Sequence, residues 1–249
     1  MSLLQIKDLS FAYEKENFIL NELSFQAEPG ESIGIIGANG AGKSTFMKLL
    51  VGLYLNFSGE ISVAGQILTK RTLGDIRKKV GFVFQDSDSQ LFMPTVYEDI
   101  AFGPRNYGHP EDKVKECVEK AMEMTNCTHL KERQIYKMSD GEKKRVSIAA
   151  ILALEPEIIL MDEPSAALDP RNRRKLITLL NTFPCLRLIA SHDLDMIWET
   201  CSRTVLIHDG RIIADGQTKD ILLRQELLEK NGLELPLCAK LHAIQQSNQ

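Results

Sequence analysis

The nonapeptide Gly37-Ala38-Asn39-Gly40-Ala41-Gly42-Lys43-Ser44-Thr45 fits the pattern G-x-x-x-x-G-K-[ST], and its surroundings restrict the fold more than any other feature of the chain. Ser32 to Ile36 is a short apolar run that reads as a buried strand, and Phe46 to Val51 reads as a helix that Gly52 can close. Where a strand turns into a helix through such a loop, glycines let the backbone wrap closely around a polyphosphate. The N–H groups of the new helix then point at the anion, with the positive end of the helix dipole behind them. In this setting Lys43 reaches the β- and γ-phosphates and the Ser44 hydroxyl ligates Mg²⁺. The competing reading, a glycine-rich turn with an incidental Lys-Ser, requires a chance match on the order of one in a hundred in a chain of this length.

Around this loop the pattern is mixed. Residues 2 to 13 alternate like a strand and lead into the polar Glu14-Lys15-Glu16-Asn17 segment, and a second strand is expected near Leu23-Ser24-Phe25. Gly59 to Val63 with the Ala64-Gly65 turn reads as a hairpin, so much of the N-terminal part is antiparallel sheet. Val80 to Phe84 is another apolar strand, which stops at the polar loop Gln85 to Gln90. The chain then turns helical to about residue 154. Thr95 with Glu98 makes a capping box, Pro110 suits the first position of a helix, and Glu111/Lys115 and Glu116/Lys120 are spaced for i,i+4 pairs. Ile158 to Met161 leads into Asp162-Glu163-Pro164, Leu186 to Ala190 leads into Ser191-His192-Asp193, and Val205 to Ile213 is a hairpin around Asp-Gly.

Composition bounds the function. A net charge of −4 argues against a basic surface for nucleic acid. The five cysteines are scattered, odd in number and form no C-x-x-C, which fits reduced thiols in a cytosolic protein. The most apolar stretch, Val146 to Leu154, is about half the length that spans a bilayer, and no N-terminal signal segment is seen, so any work at a membrane needs partners.

Apolar strands that each end in a polar residue belong to an open parallel sheet, whose ligands sit at the carboxyl ends of the strands. Asp162, one residue past its strand, is placed to hold Mg²⁺ opposite Ser44, and Glu163 to orient and deprotonate an attacking water. Gln85 and His192 close two further strands, where an amide reaches metal and water and an imidazole donates to a γ-phosphate.

Taken in this order, the residues resemble the ATP-binding subunits of ABC transporters over nearly the whole chain. The resemblance implies a P-loop NTPase (RecA-like) α/β core with an antiparallel β subdomain and an inserted α-helical subdomain. The phosphate loop is Gly37 to Thr45, the glutamine loop holds Gln85, the acidic strand is Ile158 to Glu163, the following loop is Ser165 to Asp169, and the switch histidine is His192. Tyr13 falls where the family stacks an aromatic ring on adenine. Met138-Ser139-Asp140-Gly141-Glu142 falls at the L-S-G-G-Q signature, so Ser139 and Gly141 are implied to contact the γ-phosphate bound by the opposite subunit. Asp140 and Glu142 depart from that signature by adding negative charge, although Ser139 and Glu142 also make a capping box that turns Glu142 back on its helix. Phe84 to Phe92, Thr95 to Pro104, and the tail Asn231 to Pro236 look like the energy-coupling-factor and cobalt-type importer ATPases.

The expected organisation is a nucleotide-binding core over 1–89 and 155–225, a helical subdomain over 90–154 that carries the signature, and a C-terminal extension over 226–249. The implied protein binds and hydrolyses ATP with Mg²⁺ and dimerises head to tail with an identical or paralogous ATPase. It is expected to be peripheral on the cytoplasmic face of the membrane, where it energises uptake of a metal ion or vitamin through separate transmembrane subunits. A soluble ABC-type ATPase of DNA repair or translation is the rival, but it would carry a long coiled coil or a duplicated ATPase. A P-loop kinase or GTPase leaves residues 138–142 unexplained.

Overall fold

The computed structural model describes residues 2–14 and 17–240; Lys15, Glu16 and the last nine residues of the expected extension lie outside the described residues. Two compact units divide the chain. One comprises Met1–Arg77 with Pro184–Gln249, and the other Lys78–Phe183.

The first unit opens with β1 (Leu4–Ala12), β2 (Phe18–Ala27), β3 (Ser32–Ile36), α1 (Lys43–Leu50), β4 (Ser58–Val63), β5 (Gln66–Ile67) and α2 (Leu73–Lys79). The second consists of β6 (Val80–Val83), α3 (Val96–Asn106), α4 (Glu111–Met124), α5 (Asp140–Leu152), β7 (Ile158–Asp162) and α6 (Pro170–Leu180). The chain returns to the first unit with β8 (Leu186–Ala190), α7 (Leu194–Thr200), β9 (Arg203–His208), β10 (Arg211–Gln217), α8 (Thr218–Leu222) and α9 (Gln225–Lys230).

In the first unit β2, β1, β4 and β5 form an antiparallel sheet in that order. β3 runs parallel to both neighbours, with Ile33 opposite Leu188 of β8 and opposite Arg203 of β9. All five residues of β3 are buried, which explains why it reads as a continuous apolar run, whereas β10, paired only with β9 among the described residues, alternates exposed and half-buried. α1 packs on β8 and α7 on β3. Phe25 and Phe46 meet edge-on with ring centroids 6.0 Å apart, and both are buried, as are Leu20, Leu23, Ile33 and Met47.

In the second unit β6 and β7 pair in parallel, Val80 opposite Ile158 and Val83 opposite Met161. Val96, Ile100, Val114, Val118, Met122, Val146 and Ala149 bind α3, α4 and α5 into a separate apolar cluster. Thr95 caps α3 by accepting from the Glu98 N–H at 3.3 Å. Two local expectations are corrected. Pro110 is the N-cap of α4 rather than its first helical residue, and the charges of α4 pair elsewhere: Glu111 with Arg105 at 2.9 Å, Lys120 with Glu155 at 2.6 Å, and Glu116 with Lys113 at 3.2 Å. A cation (Arg105) and a carboxylate (Glu155) from outside the helix, and a lysine three residues back along it (Lys113), take the charges that i,i+4 spacing would have paired. The five cysteines are free, and burial pushes the Cys201 thiol up to about 12.

Candidate functional site

The phosphate-binding geometry is built at the junction of β3 and α1. Gly42, the N-cap of α1, has φ of 101°, and Gly37 has φ of 154° with no room for a Cβ, which would overlap the carbonyl oxygen of Ile207. The Ala41 N–H donates to the Ala38 carbonyl at 3.2 Å and closes the tip, leaving Asn39 and Gly40 exposed. Lys43 is buried, and its ammonium donates to the carbonyls of Gly37 at 2.7 Å and Ala38 at 3.1 Å. The cation therefore already lies inside the loop. Ser44, half-buried in the first turn of α1, follows it. Gly52, with φ of 63° and its N–H on the Leu49 carbonyl, ends the helix as its position predicts.

Thr45 ties this loop to the antiparallel sheet, because its hydroxyl lies 3.0 Å from the Tyr13 hydroxyl. Tyr13 is half-exposed, with its ring edge-on to Phe11 at 4.9 Å and to Tyr54 at 5.3 Å. Tyr54 had no motif to mark it; only packing brings it to Tyr13. His192 lies beyond β8, on the same edge as the phosphate loop, since β3 and β8 are parallel neighbours and the Ser191 N–H donates to the Ile35 carbonyl at 3.2 Å. The imidazole is exposed, and the next residue, Asp193, caps α7 by accepting from the Met196 N–H at 2.9 Å.

In the second unit Asp162 is the last residue of β7, not the one after it, and is 5% exposed. Glu163 is 8% exposed and holds a left-handed backbone with φ of 44°. Such a conformation costs a non-glycine residue about 1–3 kcal/mol and is concentrated at functional sites. Gln85 is exposed after β6, and its own carbonyl accepts from Lys144 at 2.8 Å, as does that of Phe84 at 3.0 Å. Burial lowers the Lys144 pKa to about 8, against the opposing fields of Asp86 and Asp162. The Gln90 amide accepts from the Phe84 N–H at 3.1 Å and donates to the Ser147 carbonyl at 2.7 Å, and Lys143 pairs with Asp88 at 2.6 Å. The glutamine loop is thus tied to α5 at three points.

The capping box at the start of α5 forms as its residues predict. Glu142 accepts from the Ser139 N–H at 2.9 Å and pairs with Arg133 at 3.1 Å, and the bond from the Ser139 N–H is the main cause that lowers its pKa. Asp140 is exposed and lines a 250 Å³ cleft with Gln85, Asp86, Asp88 and Lys143. Lys143 and Lys144 are engaged elsewhere and do not pair with Asp140. Besides Tyr54, two residues escaped the motif reading. Lys144 reads only as helix-surface charge, and buried Asp99 accepts the N–H groups of Phe92 and Met93 at 2.8 Å each, shaping the end of the loop.

Among the described residues no three His, Cys, Asp or Glu side chains stand together as a metal cluster. Ser44 in the first unit, and Gln85 and Asp162 in the second, carry hard oxygen donors of the kind that suit Mg²⁺. No helix among the described residues is long and apolar enough to cross a membrane.

Residues 20–166 match the sequence profile of the family described as ABC transporter. A putative ABC transporter ATP-binding protein of Gloeobacter violaceus is 47% identical over 94% of this chain and 97% of its own length. The energy-coupling factor transporter ATP-binding protein EcfA of Carboxydothermus hydrogenoformans is 39% identical over 96% of this chain and 89% of its own. The structure of cbiO1 from Clostridium perfringens, described as part of the ABC transporter complex cbiONQ, superposes with a TM-score of 0.83 at 32% identity, covering 97% of this chain and 99% of that one.

Proposed function

Because this chain belongs to the ABC transporter family and is an ATPase coupled to transport, we propose that it energises import of a small substrate, a metal ion or a vitamin, through separate transmembrane subunits. The likeness to EcfA and to cbiO1 supports an importer of the energy-coupling type on the cytoplasmic face of the membrane. The observation that carries the ATPase reading is the buried Lys43 ammonium, held on the Gly37 and Ala38 carbonyls within a loop capped by a left-handed Gly42.

In this reading Lys43 exchanges its two carbonyls for β- and γ-phosphate oxygens, while Gly37, Asn39, Gly40, Ala41, Gly42 and Thr45 wrap the polyphosphate and Tyr13 offers its ring to adenine. Ser44, Gln85 and Asp162 are the residues that hold Mg²⁺, which supplies charge neutralisation on the β- and γ-phosphates when bound. Glu163 accepts the proton of the attacking water, and His192 donates to the γ-phosphate. Ser139 and Gly141 serve the nucleotide of a second, head-to-tail ATPase subunit, identical or paralogous. Residues 90–154 act as the helical subdomain, and 226–249 as a short extension of the core.

Glu163→Gln tests the site. ATP affinity is retained and steady-state hydrolysis falls by roughly 10²–10⁴, the usual worth of a general base. Turnover within a factor of two of the wild type removes Glu163 from this role. Purification of the intact complex tests the importer reading, which fails if no membrane protein accompanies the chain.

A further inference from the structure

The second unit holds a cavity of 330 Å³ that neither the phosphate loop nor the acidic strand end uses, at the small end of the range for ligand pockets of about 300–1,000 Å³. It lies between α5 and α6. Gly141 and Arg145 of α5 face Asn172, Leu176 and Leu179 of α6 across it, and Met124 at the end of α4 closes one side. Its lining contains Lys144, Arg145, Arg174 and Lys175 but no carboxylate.

The four cations are not equivalent. The Lys144 ammonium is spent on the Phe84 and Gln85 carbonyls, and Arg174 and Lys175 are exposed at the rim. Arg145 differs, because its Nε is buried and makes no hydrogen bond among the described residues. Glu142, whose carboxylate feels the Arg145 charge, spends its hydrogen bonds on Ser139 and Arg133. The Arg145 Nε is sealed from the cavity, but Arg145 as a whole is only half-buried, lines the cavity and has no ion pair among the described residues, so its guanidinium charge is open to an acid group there. Met124, Leu176 and Leu179 give the remainder of the cavity an apolar surface.

We propose that this cavity binds a small organic monoanion with an apolar body, its acid group on Arg145 and its body against Met124, Leu176 and Leu179. Binding so placed bears on the signature helix, because α5 and α6 touch at this point: a Cβ added to Gly141 would stand 2.6 Å from the Asn172 carboxamide. The effect on catalysis rests on the function proposed above; the binding does not.

The probe is 8-anilinonaphthalene-1-sulfonate, two aromatic parts carrying one sulfonate, titrated calorimetrically into the full chain without nucleotide. One saturable site is expected, weakened at least tenfold by Arg145→Gln, weakened likewise by Leu179→Trp, which fills the cavity, and weakened by added salt. Absence of saturation, or a wild-type affinity in either folded variant, overturns the proposal. If Arg145→Gln does not fold, Lys175→Glu takes its place under the same criterion. In the wild type the probe should change ATP turnover, and in Leu179→Trp it should not. A probe that binds with the stated sensitivities yet leaves wild-type turnover unchanged overturns the link to α5 and leaves the site standing.

Discussion

Replacing Lys144 with methionine separates what burial costs this ammonium from what its hydrogen bonds return. The side chain is 3% exposed and donates to two carbonyls 59 and 60 residues earlier. Burial takes its pKa from 10.5 to about 8, and at 1.36 kcal/mol per pH unit that fall makes the charged form cost roughly 3 kcal/mol in the folded chain. That figure is already net of whatever the two bonds return to the charge, and Lys144→Met leaves both carbonyls without their donor, so at pH 7 the variant should lose about 1–3 kcal/mol. The balance shifts with pH. A lysine whose folded pKa is depressed binds its proton less tightly folded than unfolded, so stability rises as pH climbs from about 7 through 8 toward 10.5, where the unfolded chain also loses the proton. The neutral amine still has two N–H donors for the two carbonyls. Between pH 7 and pH 10 the wild type should therefore gain about 2.5 kcal/mol over Lys144→Met. Urea unfolding of both proteins across that range measures it, and the difference between them cancels the other titrating groups. Parallel stability curves would refute the burial of this charge.

Three further outcomes follow from the geometry. Lys43→Ala should weaken ATP binding itself, since the cation inside the loop is lost; an unchanged dissociation constant by calorimetry would remove Lys43 from the phosphates. Asp140 is exposed, with Lys143 and Lys144 committed elsewhere, so in the head-to-tail dimer proposed above no neighbouring lysine would offset its charge toward a partner's phosphate. At ~8 Å such a carboxylate costs between about 0.5 kcal/mol in water and about 2 kcal/mol at an effective dielectric of 20. Asp140→Gly in a Glu163→Gln background should raise ATP-dependent dimerisation by up to about tenfold, less at high salt; equal sedimentation constants at both salts would make it a neutral surface change. Phe92 is 65% exposed and edge-on to Phe102 at 4.9 Å, whereas the Gln90 amide is built into the loop, so Phe92 is the residue with which to test whether this loop docks on the transmembrane subunits proposed above. Phe92→Ala should leave ATP hydrolysis of the isolated chain intact and lower uptake in vesicles carrying the full complex, and normal uptake would sink that role.

What could be read from the sequence is what short-range physics decides. The β3–α1 junction is legible because strand, glycines and helix start are contiguous, and Ser139 with Glu142 is legible because a capping box closes over three residues. The continuous burial of β3, β7 and β8 was legible too, as uninterrupted apolar runs. The failures share a cause. Glu111 and Lys120 sit at the right spacing for partners on their own helix, but Arg105 and Glu155, on other elements, hold them instead. Tyr54 becomes a neighbour of Tyr13, and Lys144 a partner of the Gln85 carbonyl, only when elements distant along the chain are packed together. The left-handed backbone of Glu163 has no signature in residue type, since glutamate seldom adopts it and the surrounding fold must impose it. Local spacing therefore determined the motifs and their secondary structure, whereas the partner of each long charged or aromatic side chain was decided by tertiary packing, because such side chains reach across elements whose approach no local pattern encodes.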